Sequence, residues 1–220
     1  MSELRVALTF DAEHPDRSRC EPGTQDAIVH TLSEAGVRAT FFLQGRWVTA
    51  YPDLVRRIVA AGHPIGNHSD YHVRMPLLSD EGLREDIDVA GEKIRRIAGV
   101  DPRPWFRCPF GEGERDPRVL RAIEDAGYRN VSWDVDAEDW EDDTTAGEVE
   151  QLIVERTLAH GDGAVVLLHT WPAPTLDALP GIIERLRSAR VAFVGVDDLA
   201  SAAAAAAASA RSETGAVDGR

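Results

Sequence analysis

Cysteine is scarce in this chain, with only Cys20 and Cys108 among 220 residues. Two distant cysteines cannot make a disulfide framework, which excludes a small stapled scaffold. They fit a reducing compartment, with a single bridge left open. Positive charge is also short: 24 Lys and Arg stand against 38 Asp and Glu, a formal net charge of -14. So acidic a surface argues against nucleic acid and against anionic membrane as partners. No run reaches the ~18 apolar residues of a membrane-spanning helix. Met1–Val6 lacks the basic segment and apolar run of a secretory leader. The chain as it stands therefore reads as cytoplasmic, although a secreted chain trimmed of its leader would look the same.

What is present is the composition of a globular protein, 43% hydrophobic and 28% charged. Short apolar, β-branched runs alternate with longer helical patterns. Strands are expected at Leu4–Phe10, Ala39–Leu43, Pro64–Asn67, Trp105–Arg107, Asn130–Trp133, Ala164–His169 and Val191–Val196. Several are apolar throughout, as in Val165-Val166-Leu167-Leu168, the mark of strands buried on both faces of a parallel sheet. Helices are expected over Pro22–Ala35, Pro52–Ala61, Ser79–Ala98, Pro117–Ala126, Val149–Ala159 and Thr175–Ala189. Gly36, Gly62, Gly99, Gly127 and Gly161 stop five of them, and Thr145 with Glu148 forms a capping box before the last of these five. These β-then-α units predict an α/β fold, a distorted (β/α)7 parallel barrel in a single domain, with an open doubly wound sheet as the competitor. The domain spans residues 1–200. Residues 201–220 are an alanine-rich tail, helical in its first part and frayed at its end.

Parallel barrels carry their chemistry at the C-terminal ends of the strands. That rule selects Asp11 and Glu13 after the first strand, His68 and His72 after the third, Arg107 at the fourth, Asp136 and Asp139 after the fifth, and His169 at the sixth. His68 and His72 are spaced i, i+4, which suits a shared zinc ion. A bare H-x-x-x-H is more often a pair of surface histidines; its place at a strand end opposite Asp11 favours a metal. Asp11 could serve as a helix cap, but no helix starts until about Pro22. His169 alone could be a satisfied core histidine; Asp139 offers it an acid partner. Arg107, in an apolar setting, needs a carboxylate, and Asp11 is at hand. Trp140 and Trp171 stand where aromatic rings could wall a substrate, or simply close the core.

Five segments together resemble the polysaccharide deacetylase family, also called the NodB-homology domain or carbohydrate esterase family 4. They are Thr9-Phe10-Asp11, Gly66–His72, Phe106–Gly111, Asp136–Trp140 and Val166–His169, in the family's order. The resemblance implies an amide hydrolase that removes acetyl groups from an N-acetylated amino sugar, such as a chitooligosaccharide or a peptidoglycan fragment. It implies a divalent metal, zinc foremost and cobalt second, held by His68 and His72. It implies Asp11 as general base, Arg107 fixing Asp11, His169 as general acid, Asp139 tuning His169, and the backbone N–H of Phe110 at the oxyanion. The family usually has a second aspartate after the first, as a metal ligand; here that position is Ala12. Glu13 is the leading replacement, then Asp11, then His14, and loss of the third ligand is the remaining outcome. A related metal-independent hydrolase of cyclic ureides or imides is the alternative function, and a non-catalytic sugar-binding module is a further rival.

Overall fold

The computed structural model describes residues 3–14 and 20–204. In chain order the elements are β1 (Leu4–Ala12), α1 (Thr24–Glu34), β2 (Thr40–Leu43), α2 (Gly45–Ala50), α3 (Pro52–Ala60), β3 (Ile65–Asn67), α4 (Asp80–Ala98), β4 (Trp105–Phe106), α5 (Pro117–Asp125), β5 (Arg129–Asn130), β6 (Val135–Asp136), α6 (Ala146–His160), β7 (Ala164–His169), α7 (Ala173–Ser188) and β8 (Val191–Phe193). Short 3-10 turns at Met75–Leu77 and Pro109–Gly111 interrupt the loops after β3 and β4. A last helix covers 196–204; the remainder of the expected tail lies outside the described residues.

All strand pairs are parallel, in the order β5-β4-β3-β2-β1-β7-β6, with β8 beside the start of β1. That order runs monotonically around a circle, so the sheet is the distorted barrel and the doubly wound alternative is excluded. The circle is open between β5 and β6, which the chain itself links through residues 131–134.

Several elements differ from the sequence reading: β1 runs on to Ala12, β4 stops at Phe106, α2 was not expected, and two later strands change. The strand expected at Asn130–Trp133 is two short strands, β5 and β6, with Trp133 in the link between them. Both are terminal strands of the ordered sheet, where half the backbone groups have no ladder partner and strands shorten. The strand expected to run to Val196 stops at Phe193, just before Gly195. Helix signals fared better. Ser79 caps α4 by accepting from Gly82 N–H, Gly99 closes it at φ 73, and the Thr145–Glu148 capping box is formed. No helix among the described residues is long and apolar enough to cross a membrane.

Strand alternation sorts side chains into two environments. Val6, Leu8, Phe10 and Ala12 of β1, with Ala164, Val166 and Leu168 of β7, join the main hydrophobic core under the helices. The intervening residues, Asp11 and His169 among them, take the other face, towards the barrel interior. A second core cluster under α4 and α5 contains Phe106 and Cys108. Cys108 is thus a small core filler, and both cysteines are free.

Candidate active site

Asp11 and His169 are direct neighbours across the β1–β7 pair. Two residues on from Asp11, the alternation brings Glu13 back to the same side, while Ala12 stays in the core. An acid at position 13 therefore reaches where an acid at position 12 would reach only from a differently shaped strand end.

Glu13, His68 and His72 form the one candidate metal-ligand group among the described residues, with one ligand atom from each lying within 4.8 Å of the others. All three are buried. Glu13 Oε2 touches His72 Nε2 and lies 3.4 Å from His68 Nε2, yet none of these contacts closes as a hydrogen bond. Three buried ligand atoms without a partner are costly in a folded protein unless something else satisfies them. Two imidazole nitrogens and a carboxylate oxygen are the donor set that suits zinc. His68 Nδ1 donates to the Arg107 carbonyl at 2.9 Å, which leaves the Nε2 lone pair for a cation. Burial acts most strongly on Glu13 and pushes its carboxyl up, but His14, His68 and His72 outweigh it and hold the group well below the usual carboxylate range. Burial foremost holds the His72 imidazole down, towards its neutral, ligating form. The residues present fit a divalent metal.

The loop that carries the histidines departs from ordinary backbone. Ser69 and His72 both have positive φ, 64 and 56. Such conformations persist only when neighbours over-determine them. Here Ser69 N–H donates to Asn67 Oδ1, His72 N–H to Ser69 Oγ, and Tyr71 N–H to Asp86 Oδ1 on α4. Beside them the buried Asp70 pairs with Lys93, also on α4. Asp86 and Lys93 went unnoticed in the sequence, since a helix further along the chain gives no local sign of bracing this turn.

Arg107 is fully buried. Its Nη1 donates to Asp11 Oδ1 at 2.8 Å, its Nε to the Val131 carbonyl, and its guanidinium stacks 4.1 Å above the Phe42 ring. Burial lowers the arginine from its ordinary value and Asp11 opposes that shift. Opposite, Asp139 is gripped three ways: by His169 Nδ1 at 2.6 Å, by His169 N–H at 2.8 Å and by Thr175 Oγ1 at 2.5 Å. Burial pulls the His169 imidazole down, but the Asp139 carboxylate outweighs it and pushes His169 up to about 9.

A cavity of about 300 Å³ joins these groups, lined by Asp11, Glu13, His72, Phe110, Trp133, Asp136, Trp140, Leu167 and His169. Phe110 sits at φ 58 in the 3-10 turn after β4, its ring against His72. Trp140 is on the wall, partly exposed. Trp171 is only 2% exposed and lies behind His169, outside the cavity lining. Trp133, which sequence reasoning placed in a strand, takes the wall position instead. Of the histidines outside the site, His63 is buried, whereas His30 and His160 are exposed.

Fold and site together define a class, a distorted parallel barrel with a buried polar cluster at its strand ends. Known proteins narrow it. The family model described as polysaccharide deacetylase matches residues 1–131. A peptidoglycan-N-acetylglucosamine deacetylase of Bacillus cereus is 32% identical over 198 residues, covering 88% of this chain and 67% of that protein. A family 4 carbohydrate esterase from Streptomyces lividans, solved in complex with acetate, is 33% identical with a TM-score of 0.74, covering 85% of this chain and 90% of the other. A CE4 family pseudoenzyme from Bacillus anthracis is 28% identical with a TM-score of 0.77, covering 90% and 65%. The chain belongs to the polysaccharide deacetylase family.

Proposed function

We infer that this protein is a metal-dependent N-deacetylase acting on an N-acetylated amino sugar, such as a chitooligosaccharide or a peptidoglycan fragment, and giving acetate and a free amine. One observation carries the reading. A buried two-imidazole, one-carboxylate cluster with unsatisfied ligand atoms lies beside a carboxylate held by arginine, and that carboxylate neighbours an imidazole held by aspartate. A structural relative is a pseudoenzyme, so the fold alone carries no activity; the residues must.

His68, His72 and Glu13 would hold the cation, zinc before cobalt. When bound, it supplies Lewis acidity. Asp11, kept from turning by Arg107, takes the proton of the attacking water as the new C–O bond forms. The Phe110 N–H, on the cavity wall, is the main-chain donor assigned to the oxyanion; such a donor is worth roughly 3 kcal/mol in the transition state. His169, kept protonated by Asp139, gives its proton to the amide nitrogen as the C–N bond breaks. Water adds across the amide, and the protons balance: one to Asp11, one from His169. Trp133 and Trp140 line the cavity, where aromatic rings can pack on a sugar. The metal-independent ureide hydrolase fits less well, because it leaves the Glu13, His68 and His72 atoms without a purpose.

The test pairs metal content with acetate release. Zinc-reconstituted protein is assayed on N-acetylglucosamine oligomers and on digested peptidoglycan. The reading expects one zinc per chain and acetate from at least one substrate, both lost in His68→Ala. Stoichiometric zinc without acetate would leave a pseudoenzyme, and acetate without metal would favour the rival chemistry.

A further inference from the structure

The geometry points to His14 as the positioning residue that makes Glu13 a usable metal ligand. The inference rests on the metal site proposed above. Position 12 bears no acid, and the ligand-atom group takes its third member from Glu13, longer and with one more rotatable bond than an aspartate. A side chain of that length needs an anchor to present one oxygen in a fixed direction. His14 provides it. Its Nε2 lies 3.2 Å from Glu13 Oε1, while Glu13 Oε2 is the oxygen that reaches His68 and His72. The two carboxylate oxygens thus have separate duties, one held by His14 and one turned to the histidines.

His14 has its backbone held in place, and its ring packs against a neighbour. Its backbone sits at φ 51, an uncommon conformation for a side-chain-bearing residue, and its N–H donates to Gln44 Oε1 at 2.9 Å. Gln44 is buried, and its own N–H donates to the Ala12 carbonyl. The ring edge meets His72 with centroids 4.6 Å apart. Gln44, His14 and Glu13 form a relay from the core of the sheet to the non-ligating oxygen of the carboxylate. His14 is outside the ligand-atom group of Glu13, His68 and His72, so it acts on the metal through the carboxylate. Hydrogen-bond partners of ligating groups typically carry about 10–100-fold in metal affinity.

Zinc affinity, measured by competition with a chromogenic chelator, separates the outcomes. Wild type, His14→Ala, His14→Gln and Glu13→Ala are compared, with circular dichroism confirming the fold. The expected result is a roughly 10–100-fold weaker site in His14→Ala, recovery of most of that loss in His14→Gln, which keeps a donor, and loss of the three-ligand site in Glu13→Ala. Equal affinity in wild type and His14→Ala overturns the positioning role and leaves the metal site standing. Loss of the site in both His14 variants makes His14 a ligand instead and also overturns it. No zinc binding by wild type overturns the metal site itself and the inference with it.

Discussion

His68 donates from Nδ1 to the backbone carbonyl of Arg107 at 2.9 Å, and the side chain of the same Arg107 holds Asp11 at 2.8 Å. One residue therefore sets both the tautomer of a proposed metal ligand and the direction of the proposed base. The guanidinium has no freedom to be replaced by something merely large. Arg107→Met would leave Asp11 buried without its counter-charge, which typically costs about 3–5 kcal/mol. Urea denaturation should show a loss of that size. A loss below about 1 kcal/mol would contradict the account of the pair.

His169 sets a pH dependence. Its folded value is raised to about 9, so as a general acid it stays protonated at neutral pH and activity should fall as pH rises through about 9. In Asp139→Asn the largest raising influence is gone, and the alkaline limb should move to lower pH. Stability follows the same sign: the His169–Asp139 contribution is full below the unfolded value of about 6.5 and is lost as pH rises through about 9. Activity and melting profiles of wild type and variant check both. An unmoved alkaline limb would remove His169 from the role of acid.

His63 should act at the other end of the scale. It is buried, accepts the Ala39 N–H on Nδ1, and burial together with Arg38 lowers it to about 4. The unfolded chain then binds the extra proton first, so stability should drop as pH falls from about 6.5 through about 4. In His63→Gln, which retains an acceptor, that acid-side drop should shrink. Equal slopes in the two proteins would assign the acid sensitivity elsewhere.

Gly66 precedes the histidine loop in β3, and a Cβ there would stand 2.6 Å and 2.7 Å from two atoms of the Phe42 ring. That ring is the platform under the Arg107 guanidinium. Gly66→Ala should therefore destabilise by about 1–3 kcal/mol, the usual cost of overpacking, and should lower deacetylation more than stability alone explains. A neutral melting shift with intact activity would show that Phe42 has room to move.

Much of this site was legible because barrel strands end where their apolar runs end. Asp11, Arg107 and His169 each close such a run, and strand alternation alone places Asp11 and Glu13 on one side. The histidine spacing carried the rest. The illegible parts are those set by distance in sequence. Asp86 and Lys93 brace the loop from α4, and Gln44 holds His14 from the turn after β2, with no local pattern to announce either. The fifth unit was misread because terminal strands two residues long leave no periodicity. Trp171 took the core place among its two alternatives, and Trp133 was missed as a wall residue because its direction depends on the path of residues 131–134, where the sheet is open.

The most direct measurement is acetate and free amine released from N-acetylglucosamine oligomers and peptidoglycan digests by the protein at full zinc occupancy, beside Glu13→Ala and His169→Gln. The account predicts acetate and amine in equal amounts from wild type, and little from either variant. No acetate from fully loaded wild type on any of these substrates, or undiminished acetate from Glu13→Ala, would contradict it.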